Sequence, residues 1–263
     1  MTRPNARRAQ RIILLLSMTL LLFLAFNGGC KNSDSGQPPP PPANHYATTF
    51  PATEYPISQN GKWIGGLSTG LDWSNIGTVA NTNAYPVMQS GSFADATAIL
   101  NPAMGTWGSN ETVVLKVYDP SPGTTQGEVA VRCHSAISAH SSTGYEIGWR
   151  LHATSGAYNG VTRWNGAYGD FQQVGTLNQG SQYGVDDGDV IVVTCSASGV
   201  ITGYKCPGGA NCSQQVQVTD TTFLNGTPGF GLDAPTGTQL NYGISCFSAN
   251  DGPIQGVVSP SCT

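Results

Sequence analysis

With 263 residues, 34 glycines, 17 prolines and only 11 Lys or Arg against 15 Asp or Glu, the chain is long enough for one substantial core and crowded for two. Its 39% apolar content excludes a mostly disordered chain. The lack of any long alanine-, glutamate- or lysine-rich window excludes a helical bundle or coiled coil.

Four arginines, Arg3, Arg7, Arg8 and Arg11, precede the apolar run from Ile12 to Phe26, which ends in Asn27-Gly28-Gly29-Cys30. A charged start, a short greasy middle and a small-residue end make an export signal. The greasy run is about 15 residues, short of the roughly 20 that a spanning helix needs, so an uncleaved anchor is the weaker reading. Cys30 after two glycines resembles the bacterial lipoprotein signal, which implies cleavage after residue 29 and lipidation of Cys30. Acyl chains then supply the membrane affinity and no spanning helix is required. Ordinary secretion, with Cys30 an incidental thiol, is the alternative. The expected location is the bacterial cell envelope, on the outer membrane where the cell has one. Without residues 1–29 the chain keeps seven basic and fifteen acidic side chains, a net charge of −8. Nucleic acid is therefore not an expected partner, because binding phosphate takes a basic footprint.

Residues 31–43 are polar and carry five consecutive prolines, Pro38 to Pro42. Such a stretch favours a stiff polyproline II rod of about 3 Å per residue. The expected organisation is a signal peptide over 1–29, a proline-rich stalk over 30–45 and one domain over 46–263. A proline-recognition ligand is the other reading of the stalk.

From residue 110 onward apolar side chains recur at period two, which predicts strands with one buried face. Over 112–118, Val113, Leu115 and Val117 share a face; over 128–134, Val129, Val131 and Cys133 oppose Glu128, Arg132 and His134. Over 145–152, Tyr145, Ile147, Trp149 and Leu151 point inward, with Glu146, Arg150 and His152 outward. Residues 189–197 are apolar on both faces, as a covered central strand is. Ser198-Gly199 then supplies a tight turn into 200–205. The last predicted strand, 241–248, places Tyr242, Ile244 and Cys246 together. Short strands separated by Gly, Pro and Asn turns predict an all-β antiparallel sandwich or barrel.

Assigning Cys30 to lipid leaves six cysteines, an even number in an oxidising compartment, so disulfides are expected. Zinc spacing is absent. Cys206 and Cys212 bracket a flexible Pro-Gly-Gly-Ala-Asn tip whose ends must meet. Cys262 is placed to pin the tail to Cys246, and Cys133 with Cys195 remain by elimination.

Asp72-Trp73, Ser92-Phe93-Ala94-Asp95-Ala96, Asn110-Glu111-Thr112-Val113, Gly144-Tyr145-Glu146-Ile147, Arg163-Trp164-Asn165-Gly166, Asp187-Gly188-Asp189-Val190, the run from Gly199 to Tyr204 and the run from Gly226 to Gly231 follow one another. The ordered set resembles the concanavalin A-like lectin/glucanase superfamily, in particular its laminin-G-like jelly rolls, over roughly residues 50–250. The resemblance implies an antiparallel β-sandwich jelly roll that binds glycans on its concave face or in the loops at its edge. Read without it, Asp187-Gly188-Asp189 is a polar turn, and the stretch from Gly226 to Gly231 allows a close backbone turn.

Candidate carbohydrate-binding residues are Arg132, His134, Glu146 and Arg150 on outward strand positions, with Arg163 and Trp164 nearby. Trp suits sugars because its flat apolar surface stacks on a ring while polar neighbours take the hydroxyls. Solvated strand faces that bind nothing are the alternative. Retaining glucanases of the superfamily carry Glu-x-Asp-x-Glu on one strand, which is absent here; Glu128 and Glu146 are the carboxylates left to approach each other. A polysaccharide lyase needs a cation and a base, which Arg132, His134 and Arg150 with Tyr158 or Tyr168 contain. Calcium is a candidate cofactor through Asp95, Asp186, Asp187, Asp189, Asp220 and Asp233, hard oxygen ligands by type, with capping of turn amides as the alternative. The function expected is noncatalytic binding of a glycan or an envelope-surface partner. A structural envelope role and an acidic-glycan lyase are the alternatives.

Overall fold

The structure, a computed structural model, describes residues 44–87, 95–121, 127–151, 156–233 and 240–252. The signal peptide, Cys30, the proline stretch, His152 and Cys262 lie outside these residues. Fifteen strands are described: β1 (His45–Thr48), β2 (Trp63–Gly65), β3 (Asn75–Val79), β4 (Asn83–Val87), β5 (Asp95–Leu100), β6 (Glu111–Tyr118), β7 (Glu128–Ser138), β8 (Ser141–Arg150), β9 (Tyr158–Gly166), β10 (Phe171–Gln179), β11 (Val190–Cys195), β12 (Val200–Cys206), β13 (Ser213–Thr219), β14 (Thr227–Asp233) and β15 (Gly243–Asn250). One sheet has eight strands, ordered β13-β12-β11-β6-β15-β4-β3 with β1 added against β15; the other has seven, ordered β10-β9-β8-β7-β14-β5-β2. Every pairing between these strands is antiparallel. The expected class, an antiparallel β-sandwich jelly roll, is the fold observed.

The core lies between the sheets and is built by alternation. Val113, Leu115 and Val117 of β6 and Ile191 and Val193 of β11 meet Val129 and Val131 of β7, Tyr145, Ile147 and Trp149 of β8 and Phe230 of β14. Trp63 anchors one end, 4.9 Å from the Phe247 ring and 5.3 Å from that of Phe230, edge-on geometries that aromatic quadrupoles favour. The first five strands were not predicted, since the periodicity was read only from residue 110. They are three to six residues long and too rich in Asn, Thr, Ala and Gly for a clear period.

Period-two reading fails at two bulges. The pairing of β7 with β8 shifts between Cys133 and Ala136, and His134 takes φ +47°. An inserted residue re-aims side chains beyond it, so His134 leaves the face that carries Arg132. The pairing of β15 with β6 shifts between Ile244 and Cys246. Tyr242 and Ile244 therefore enter the core, but Cys246 turns to the opposite face. The stretch from Gly226 to Gly231 is a strand, not a turn: apart from Gly226 it belongs to β14. Gly226 itself passes so close to the bulge that a Cβ there would sit 2.2 Å from the His134 carbonyl carbon. Gly199 does serve the tight turn expected, at φ +80°.

The disulfide Cys133–Cys195 joins β7 to β11, one sheet to the other, across 62 residues; closing a loop of that length contributes about 4 kcal/mol by chain entropy. Cys206–Cys212 closes the tip after β12. Cys246 is also disulfide-bonded, and the expected partner Cys262 falls outside the described residues.

Candidate functional site: a carboxylate-lined groove

The outer face of the seven-stranded sheet holds a groove of about 380 Å³, lined among others by Asp95, Glu128, Glu146, Tyr158, Trp164, Phe171 and Asp233. Its layout follows from two similar segments. Glu128-Val129-Ala130-Val131-Arg132 on β7 and Glu146-Ile147-Gly148-Trp149-Arg150 on β8 run antiparallel, which sets Glu128 opposite Arg150 and Arg132 opposite Glu146. Between these charged pairs lie Ala130 and Gly148, directly opposite each other, and Gly160 of β9 continues the row beyond Gly148. Small residues thus floor a trough that runs across the strands. Glu128 leans over it: a Cβ on Gly148 would fall 1.9 Å from Glu128 Oε1.

Arg132 is wholly buried. Its Nη1 donates to Glu146 Oε2 at 2.9 Å and its Nη2 to Ser142 Oγ at 2.5 Å, while its guanidinium carbon sits 5.9 Å from the Trp164 ring centroid. Contrary to the expectation of a solvated outward position, Arg132 is therefore a floor residue that orients Glu146. Arg150 lies 5.8 Å from the Tyr158 ring, and the Tyr158 hydroxyl donates to Glu128.

Burial, then the neighbouring Glu146 charge, pushes the Glu128 carboxyl up to about 8. Asp95 is pushed up to about 7 by burial, then Glu146 and Asp233; Asp233 is raised by burial and Glu146, partly offset by Arg150. The Tyr168 hydroxyl donates to Asp95 Oδ2 at 3.1 Å.

The groove wall is aromatic. Trp164 is 3% exposed and packs against Trp73 at 5.2 Å and Phe171 at 5.2 Å. Phe171 is 57% exposed, so it offers the open ring face that Trp164, wedged in the cluster with Leu71 and Trp73, does not.

Four of the six predicted residues, Arg132, Glu146, Arg150 and Trp164, share this outer face. His134 and Arg163 do not. His134 is 1% exposed, with its ring nitrogens 3.0 Å from the carbonyl oxygens of Phe223 and Ser109; burial lowers its pKa. Arg163 alternates with Trp164 and so faces the other way, donating to Asp220, Thr222, Gln172 and Asn165. Asp220 is in turn held at about 2: burial works against this and is outweighed by hydrogen bonds from Thr222 and Tyr145 and by Arg163. Groove residues missed were Phe171, Gln173 and the glycine floor, while Glu128 was singled out only as a hydrolase carboxylate. The paired Glu-x-small-x-Arg segments and the alternation of Phe171, Gln173 and Leu177 were the available signals.

The six candidate calcium ligands separate into three places. Asp95 and Asp233 line the groove and Asp220 pairs with Arg163. Asp187 accepts from the Asp119 amide, and Asp189 from the Asp186 and Gly208 amides, so these two cap turns. No grouping of three or more His, Cys, Asp or Glu that fits a metal ion occurs among the described residues, and the six candidates do not converge on one site.

No protein-family model matches the chain, and no curated protein matches its sequence. Solved structures with a similar chain path include the carbohydrate-binding module CBM66 from Bacillus subtilis, at 13% identity and TM-score 0.45, covering 72% of this chain and 98% of that one. The CBM2 module of the evolved Dit of Lactobacillus casei BL23 phage J-1 is similar at 11% identity and TM-score 0.49, covering 80% and 96%. The exoplasmic/lumenal domain of VIP36 in its Ca2+/Man3GlcNAc-bound form is similar at 9% identity and TM-score 0.44, covering 76% and 87%. The sandwich and the groove of this chain stand on its own strand pairing and side chains.

Proposed function

We propose that the chain is a noncatalytic glycan-binding module of the cell envelope, lipid-anchored through Cys30, that takes a sugar chain into the outer groove of the seven-stranded sheet. The observation that carries this reading is a trough floored by Gly148 and Gly160, edged by carboxylates and walled by Trp164 and the open ring of Phe171. A flat floor admits a sugar ring, carboxylates accept pairs of hydroxyl hydrogen bonds, and an exposed aromatic face stacks on the apolar side of the ring.

Glu146 is engaged by Arg132 and Glu128 by the Tyr158 hydroxyl, which favours binding over hydrolysis. The lyase reading loses His134, which is buried on backbone carbonyls away from the groove, and the Tyr158 and Tyr168 hydroxyls it also offered donate to Glu128 and Asp95.

The test is affinity electrophoresis or a glycan array with the wild-type chain and Phe171→Ala. Retention on a polysaccharide, weakened roughly tenfold by the substitution, supports the reading. Retention on none, or release of reducing ends from the bound polysaccharide, overturns it.

A further inference from the structure

Asp95, Asp233 and Glu128 stand directly opposite one another on β5, β14 and β7. Three carboxylates therefore occupy consecutive places in one cross-strand row, an arrangement of like charges that destabilises a sheet. With Glu146 the face carries four carboxylates against two guanidiniums: Arg150, opposite Glu128, also acts on Asp233, and two nitrogens of Arg132 are taken by Glu146 and Ser142. Tyr158 and Tyr168 donate to Glu128 and Asp95 but carry no positive charge. Two further polar groups want a ligand. Asp233 Oδ1 is buried with no donor, and the indole N–H of Trp164, itself 3% exposed in the groove wall, has no acceptor among the described residues.

Taking the glycan-binding reading above as its basis, we infer that the sugar this groove binds carries a free amine, with the ammonium against the Asp95–Asp233–Glu128 row and the ring over the glycine floor beside Phe171. An ammonium supplies both donors and the positive charge of which this four-carboxylate, two-guanidinium face is short, and such charge-assisted bonds are the strong ones. Ring hydroxyls supply the acceptor for Trp164. A neutral sugar brings no positive charge to the row, and a uronate adds to its negative charge. Burial and then the Glu146 charge push Glu128, Asp95 and Asp233 upward, so ammonium binding replaces protons held by the row.

The decisive comparison is calorimetric titration of the full chain with a glucosamine oligosaccharide, its fully N-acetylated counterpart of equal length, and an oligolysine peptide. The expected result is at least about tenfold tighter binding of the amine form than of the acetylated form, weakening with added salt. Asp95→Asn with Asp233→Asn should bring that preference to within about twofold, with no fall in melting temperature. Equal affinity for the two sugars overturns the amine and leaves the glycan groove standing. Binding of oligolysine alone, or of nothing, overturns both.

Discussion

The outer faces of the two sheets are made by the same alternation and reach opposite states. On the eight-stranded sheet, Val114, Val190 and Val192 close over Cys206 and Cys246, with Tyr204 and Cys212 packed against them. That face is satisfied by folding, because apolar groups and sulfurs ask nothing of a partner. On the seven-stranded sheet the equivalent positions carry Glu128, Arg132, Glu146, Arg150, Asp95 and Asp233, several of them deeply buried. Charges at that depth need internal pairing, a ligand or a retained proton. Arg132 and Glu146 have the first; the carboxylate row has it only in part, through Arg150. The contrast separates a face that completes the fold from one that the fold alone leaves unfinished.

The largest expected effect tests the paired half of the groove. Glu146→Ala strands the fully buried Arg132 and should cost about 3–5 kcal/mol in chemical denaturation. Val192→Ala on the other outer face, which loses only packing, should cost about 2 kcal/mol. If the glutamate variant is the milder of the two, the contrast between the faces collapses.

Next comes pH. Glu128 at about 8 and Asp95 at about 7 keep a proton in the folded state after the unfolded chain has lost it near its ordinary carboxylate range. Stability should therefore fall as pH rises from about 4 to about 8, by several kcal/mol, about 1.4 kcal/mol for each unit of displacement. Thermal melts across that window should show a shallower decline for Glu128→Gln and an unchanged one for Val192→Ala. The smallest effect sharpens the site itself. Phe171→Ala at the exposed rim should alter stability by less than about 0.5 kcal/mol, measured by the same melts, so any loss of glycan retention in that variant belongs to binding.

Much of the sandwich was legible because burial of one face writes a period of two into β6, β7 and β8, while burial of both makes β11 apolar throughout. It was not legible where one extra residue changed the count. His134 and Cys246 follow bulges, and nothing in their local sequence announces the shift, since pairing with a distant strand decides which residue is extra. The groove was half visible. Arg132, Glu146 and Arg150 were on the groove face by alternation, with Trp164 named only as a neighbour, but the same alternation could not say which outward residues stay in water and which sink. Arg132 sinks because Ser142, Glu146 and Trp164 surround it.

Sequence by itself determined which side chains share a face in each regular strand, because that depends only on the pleat of a single segment. Tertiary structure alone decided that Asp95, Glu128 and Asp233, spread over 139 positions of chain, stand in one row. That placement depends on the order and register of β5, β14 and β7, which are set by the competition of whole strands to bury their inner faces. No local pattern records that competition.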